Sequence, residues 1–447
     1  MKRGAWIFTT LLLLIGTVGC NNEESGSDVR LSPMEYVIDS DQKYNFLQFI
    51  EGLLFTENIS PDEEQKQKPL YETIEKFVNN LKKSNGLTNE ELGFRKVVYR
   101  YRSIDQHSKS VMLSAISYWL GYYKDGEWYN LQPDNICLVE HYTIASNSEA
   151  PSVGFPFEPF MLGNNLVIMP DYIGYGATKS MVHPYLNHTI HAQNSIDALP
   201  SGYAVFDSLA DCGMGEDWKM CVLGASQGAG NAIAIHKFME KNIDFAKRWH
   251  FAYSSCSSGP YSPRITMEEY YHEGKTVYPV VFPLTINAML DSYPEYMGKY
   301  NVSEIFSDNY LKHKDSIDEM VNSKNYTTHQ INQFFYDHIR VTVDENLADD
   351  EIYLSDILNS AILNTNTAVY KDFEKCLEEN DLIKGWKPTY PIKLYYSAGD
   401  RVVPYSNSLE LQKALGSSKV TLYPYKSDFG HKDACTTWML GLLIDGV

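Results

Sequence analysis

The sequence predicts an α/β protein: a mostly parallel, doubly wound sheet with a helical cap inserted late in the chain. Three observations predict it. Short apolar runs alternate with helical patterns from Phe94 to about residue 262, as parallel strands covered on both faces require. One such run, Met220-Cys221-Val222-Leu223, passes through the turn Gly224-Ala225-Ser226-Gln227-Gly228 into a helical pattern. The alternation stops between about Pro263 and Trp386, where helical patterns prevail, and resumes at Pro391.

The N-terminus reads as an export signal over residues 1–19. Lys2 and Arg3 precede an apolar stretch from Ala5 to Val18 that is short for a bilayer span. It ends in Thr17-Val18-Gly19-Cys20, which resembles a bacterial lipoprotein box with Thr17 in place of the usual leucine. The resemblance implies acylation of Cys20, a polar tether over 20–30, and a place in the bacterial cell envelope, at the outer membrane or cell surface. The lipid at Cys20 is then the expected membrane contact. The acidic pair Glu23-Glu24 resembles the surface-export signals of some lipoproteins.

Residues 31–93 read as an N-terminal helical segment, with Tyr71, Ile74, Phe77, Val78 and Leu81 at helix spacing. Residues 94–262 form the first part of the core. Phe94–Ile104 and Ser110–Leu120 read as two strands joined as a hairpin by Asp105-Gln106-His107-Ser108. Asn135–Val139 and Asn165–Met169 are the next strands, and Ala192–Ala210 is helical. The turn strand at Met220 and its helix follow, then a strand over Trp249–Ser254. Residues 263–390 are the helical cap. Residues 391–447 complete the core, opening with the strand Ile392–Ser397.

The chain has 447 residues, 44% hydrophobic and 21% charged, ample for one large domain with an elaboration. A formal net charge of -19 repels phosphate backbones and excludes nucleic acid as a partner. The 33 tyrosines are expected mainly in strands and core. Besides Cys20 there are six cysteines, and export permits disulfides; Cys212 and Cys221 are close enough in sequence to pair. No CxxC spacing occurs, so no metal site is expected.

The chemistry sits on three residues. Ser226 lies on a sharp strand-to-helix turn that leaves its hydroxyl free. Asp400, in Ser397-Ala398-Gly399-Asp400, follows a strand. His431, in Phe429-Gly430-His431, is expected on a loop before the last helix. Nucleophile, orienting acid and base suit acyl transfer. The backbone N–H of Gln227 is the expected half of an oxyanion hole. Thr143 is expected to supply the other half, with Tyr142 as its neighbour. Asp171, His141 and His183 are read as structural, and Asp428 and Asp433 as solvated loop charges.

These motifs make the chain resemble an α/β-hydrolase, and within that fold the secretory lipase family. The matching pieces are Pro170-Asp171-Tyr172-Ile173-Gly174-Tyr175-Gly176, His183-Pro184-Tyr185-Leu186, Gly224 to Gly228, Ser258-Gly259-Pro260-Tyr261, Gly399-Asp400 and Gly430-His431. Two features depart from the pattern. Glu140-His141-Tyr142 stands where His-Gly is usual, and the surroundings of Ser258 are poor in glycine. The resemblance implies hydrolysis of a small-molecule ester without a cofactor. Carbohydrate deacetylase and feruloyl esterase are variants of that reading. A serine peptidase of the prolyl oligopeptidase type shares the order of the three residues. About seventy mature residues before the first expected strand are too few for that type's propeller. A non-catalytic surface binding protein is the third reading.

Overall fold

The computed structural model describes residues 34–54, 61–156 and 158–445. The expected signal peptide, the tether and Cys20 lie outside the described residues. Among those described, ten strands form one sheet. Its first part is an antiparallel meander of β1 (Tyr36–Asn45), β2 (Glu91–Ile104), β3 (Ser110–Lys124) and β4 (Glu127–Asn130). Next come β5 (Ile136–Glu140), β6 (Leu166–Pro170), β7 (Met220–Ala225) and β8 (Phe251–Ser257). In the cap, β9 (Lys275–Thr276) and β10 (Ile352–Tyr353) pair only with each other. Finally, β11 (Ile392–Tyr396) and β12 (Val420–Pro424) return to the main sheet. The spatial order is β1-β2-β3-β6-β5-β7-β8-β11-β12, with β4 beside β3. The six strands from β6 to β12 run parallel, and β3 joins them antiparallel.

The central parallel strands β5, β6 and β7 are buried along their whole length because both of their faces are covered. Alternate residues point to opposite faces. Ile136, Leu138, Leu166, Ile168, Met220 and Val222 join one buried cluster. Cys137, Val139, Val167, Met169, Cys221 and Leu223 join another. On the first face lie α3 (His188–Leu209), α4 (Gln227–Lys241) and α5 (Ile243–Arg248). On the second lie α1 (Phe46–Leu54) and α2 (Pro61–Ser84), through Phe46, Ile50, Ile74 and Val78, with Trp438 from the last helix. Full burial of a leucine or valine is worth about 1.5–3 kcal/mol, against about 1 kcal/mol net for a hydrogen bond. Two-sided burial therefore fixes the register of these strands.

The cap opens with α6 (Pro263–Glu273), whose N-cap Ser262 accepts from Ile265 N. It holds its own apolar cluster, including Met267, Phe282, Ile317, Phe335 and Phe373. Tyr185, Leu186 and Ala145 of the core rim belong to the same cluster and dock the cap. The cap cluster reaches Leu377, whereas Leu382 already packs in the core. The cap therefore ends somewhat before the expected residue 390.

Two expectations are corrected. Residues 31–93 are not helical throughout, because β1 forms the edge of the sheet. An edge strand is half exposed and polar, so it lacks the apolar alternation that marks a strand. Cross-strand charge holds it: Arg95 pairs with Asp41 at 2.6 Å, Arg100 with Asp39 at 2.9 Å and Arg102 with Glu35 at 2.6 Å. The Cys212–Cys221 proximity is also not realised. Cys221 Sγ lies 3.6 Å from Cys137 Sγ on the neighbouring strand, and Cys212 Sγ faces Leu131 O. All six described cysteines are free.

Candidate active site

Ser226 ends β7 near the middle of the sheet and caps α4 with φ 55° and ψ -125°. A non-glycine residue there is strained, and such strain persists only where the surroundings enforce it. They do so by close approach. A Cβ on Gly224 would sit 2.2 Å from Gly228 O, and one on Gly228 would sit 2.1 Å from Glu140 O. Only glycine lets strand, helix and the neighbouring β5 meet so tightly. Ser226 N donates to Ser257 O at 2.9 Å, which ties the turn to β8.

The structure brings Ser226, His431 and Asp400 into one hydrogen-bonded line. His431 Nε2 is 2.9 Å from Ser226 Oγ, and His431 Nδ1 is 2.7 Å from Asp400 Oδ2. A carboxylate only accepts, so the Nδ1 proton points to Asp400 and Nε2 is free to accept from the serine hydroxyl. The other Asp400 oxygen accepts from Val402 N at 2.9 Å and Val403 N at 2.8 Å. The side chain of Asp400 is 1% exposed and that of His431 17%. The acid is thus fixed and dry, while the base is open to a reactant.

Packing holds the two late loops together. Ser397 Oγ lies 2.7 Å from Phe429 O and 2.8 Å from Lys426 O, bridging the end of β11 to the histidine loop. Tyr270 of α6 donates to Val402 O at 2.7 Å, so the cap also braces the acid loop. His431 is the first residue of the helix His431–Asp445, not a loop residue. Asp433 is more than a solvated charge: its Oδ2 accepts from Gly430 N at 3.1 Å, satisfying a donor at that helix start. None of these braces carries a motif; a serine ending a predicted strand was the available signal for Ser397.

The expected oxyanion donors lie beside the serine. Gln227 is the first residue of α4, where backbone N–H groups lack a helical acceptor and the helix dipole favours negative charge. β5 and β7 pair through Glu140 and Gly224, so the turn Glu140-His141-Tyr142-Thr143 stands next to the serine turn. Thr143 is buried, with Oγ1 3.1 Å from Tyr185 OH, while Tyr142 is exposed. The Gln227 side chain donates to His183 Nε2 at 2.9 Å, and His183 Nδ1 donates to Ile173 O at 2.7 Å.

Burial sets the charge of this rim. It pushes His183 down to about 3, helped by the nearby Lys324 charge, and His141 down to about 4. Both are neutral hydrogen-bonding residues. Burial pushes Glu140 up to about 8, with the hydroxyls of Ser195 and Tyr172 opposing. Asp171 is raised to about 6 by burial and accepts from Ser114 and Ser152, well away from His431 in role and partner. Among the described residues, one group brings three metal-ligating side chains together: Glu269, His272 and Glu273, exposed on α6.

No protein-family model and no curated protein sequence matches the chain. Solved structures do. The rice cell wall degrading esterase LipA of Xanthomonas oryzae is 19% identical with a TM-score of 0.62, covering 82% of this chain and 92% of that one. A Legionella pneumophila protein assigned as a hydrolase is 18% identical with a TM-score of 0.62, covering 92% and 96%. Candida antarctica lipase A in its closed state is 11% identical with a TM-score of 0.51, covering 79% and 75%. At such identities the likeness is one of fold. Strand order, the serine turn and the late cap all agree with it: the chain has the α/β-hydrolase fold, with a helical cap inserted between β8 and β11.

Proposed function

We propose that the protein is a serine ester hydrolase of the esterase or lipase type, working through an acyl-enzyme. The observation that carries this reading is the hydrogen-bonded line from Ser226 through His431 to Asp400, with contacts of 2.9 and 2.7 Å. The kinship of fold with esterases and a lipase supports it, as do the motifs shared with secretory lipases.

The steps follow from the geometry. Ser226 Oγ attacks the ester carbonyl carbon as its proton passes to His431 Nε2. The carbonyl electron pair moves to oxygen, where Gln227 N–H and a donor from Thr143 or Tyr142 stabilise it. Each such donor is worth about 3 kcal/mol in the transition state. Asp400 holds the imidazole in the useful tautomer and stabilises its charged form. The imidazolium then protonates the departing alcohol. Water, activated by the same nitrogen, hydrolyses the acyl-enzyme and returns the proton to Ser226. All of this uses side chains and backbone of the chain itself.

A fluorophosphonate probe tests the reading. Wild type should be labelled and Ser226→Ala should not; a wild type that takes no label sinks it and favours the binding protein. A panel of aryl esters from acetyl to palmitoyl, with a proline amide alongside, separates ester from peptide bond. Activity on the amide alone would favour the peptidase. We further propose that the protein is exported and anchored through a lipid on Cys20, as the sequence around that cysteine suggests.

A further inference from the structure

His183 and Tyr185 stand on either side of Pro184, and each touches one of the two residues expected to form the oxyanion hole. His183 Nε2 accepts from the Gln227 side chain at 2.9 Å. Tyr185 OH lies 3.1 Å from Thr143 Oγ1. All four residues are buried. Gln227 opens α4 beside Ser226, and Thr143 lies in the turn after β5 that stands next to the serine turn. His183-Pro184-Tyr185-Leu186 is one of the shared motifs, and its place in the fold gives it a task beyond packing.

The contact with Gln227 has one direction. Ile173 O only accepts, so His183 Nδ1, 2.7 Å away, carries the ring proton. His183 Nε2 is then an acceptor, and the amide nitrogen of Gln227 must face it. Burial, with the nearby Lys324 charge, keeps the imidazole neutral. A buried imidazole with either nitrogen unpaired would cost stability. Here one nitrogen engages the loop after β6 and the other the first residue of α4.

The segment is itself held. Gly174 has φ 92°, and a Cβ there would lie 2.8 Å from both Cα and Cβ of His183. Only glycine lets the loop after β6 come so close. Pro184 fixes its own φ. Its carbonyl accepts from Asn187 N at 2.9 Å and lies 3.0 Å from His191 Nε2, which ties the segment to the start of α3. The turn after β5 and the start of α4 are therefore gripped from one short stretch of chain.

We propose that His183 and Tyr185 are positioning residues for the oxyanion hole. His183 fixes the residue whose backbone N–H forms one half, and Tyr185 fixes the residue expected to supply the other. The inference rests on the ester hydrolase reading and deepens it at the same site. Full charge on the carbonyl oxygen develops only on the way to the transition state, so loosened donors cost rate rather than substrate affinity.

Tyr185→Phe removes the hydroxyl and keeps the ring; His183→Phe removes both imidazole bonds. With 4-nitrophenyl hexanoate, each variant should lower kcat about tenfold or more and leave KM within about twofold of wild type. Hexyl trifluoromethyl ketone supplies a second readout. Ser226 Oγ adds to its carbonyl carbon, the hydroxyl proton passes to His431 Nε2, and the carbonyl oxygen becomes an anion in the hole. Its inhibition constant should rise in proportion to the fall in kcat. The inhibition constant of hexyl methyl ketone, which stays a ketone, should not change. Tyr185→Phe decides the matter if His183→Phe does not fold. Wild-type kcat and wild-type trifluoromethyl ketone inhibition in Tyr185→Phe would overturn the proposal, whatever its melting temperature. So would a rise in KM and in both inhibition constants at unchanged kcat, which would place Tyr185 in substrate binding. Failure of the underlying reading looks different: wild type does not turn over the ester, or Ser226→Ala turns it over as well as wild type does.

Discussion

Tyr270 of the cap donates a 2.7 Å hydrogen bond to the carbonyl of Val402, two residues past Asp400. The inserted cap thus touches the frame of the proposed triad directly. Val402 and Val403 in turn give their N–H groups to Asp400, so a shift of this loop moves the carboxylate. Tyr270→Phe should cost about 1 kcal/mol of stability for the lost bond. It should lower kcat severalfold with little change in KM. Thermal unfolding and steady-state kinetics check both; a change confined to KM would place Tyr270 in binding instead.

Removal of the line itself should be far more severe. Ser226→Ala should lower kcat by about a thousandfold or more and abolish fluorophosphonate labelling. Asp400→Asn should cost about as much, because the amide can donate and so favours the wrong imidazole tautomer. Binding of a neutral ester analogue should survive in both. Combining the two substitutions should add little, since the residues act as one unit.

Gly228→Ala tests the crowding that enforces the serine turn. The added methyl would meet Glu140 O at 2.1 Å, which is backbone and has little freedom to yield. The expected loss is about 1–3 kcal/mol or more of stability. Activity should fall with it, as β5 carries the Thr143 turn. A variant of full activity and unchanged melting would show that the rim yields freely.

Glu140 should make stability fall as pH rises. Its buried carboxyl titrates at about 8 in the fold, against an ordinary 4.5. Between those values the folded state holds a proton that the unfolded chain has released. Unfolding therefore becomes easier with rising pH, by at most about 1.4 kcal/mol per unit for one group. Above about pH 8 the contribution is lost and the slope vanishes. Glu140→Gln keeps the shape without the titration. Denaturant titrations from pH 5 to 9 should show wild type losing more stability than the variant.

Anchoring at Cys20 predicts metabolic labelling with a fatty-acid analogue and partition into the detergent phase. Cys20→Ser should lose both and leave the protein unacylated. An unlabelled wild type recovered as free secreted protein would favour simple export.

Legibility in the sequence followed burial. The strands β5, β6 and β7 read as apolar runs because both of their faces are covered. The antiparallel hairpin of β2 and β3 read correctly from its turn, although both strands run a few residues longer. The edge strand β1 was illegible, since its middle, Asp39 to Lys43, is polar and mostly exposed and is joined to β2 by backbone pairing and ion pairs. The motifs of Ser226, Asp400 and His431 were legible because each is short and local: the first two follow a strand, and the third opens the last helix. Their bracing by Ser397 and Tyr270 was not, because it joins segments far apart in the chain.

By itself the sequence determined the alternation of strand and helix, the place of the cap and the order of serine, acid and histidine. Local pattern suffices there, since periodicity and turn chemistry act over a few residues. Only the tertiary structure decided that side chains 205 residues apart lie 2.9 Å from each other, and that a tyrosine of the cap braces the loop of Asp400. The reason is physical: hydrogen bonds and desolvation depend on distances between packed segments, and those are set by the whole core.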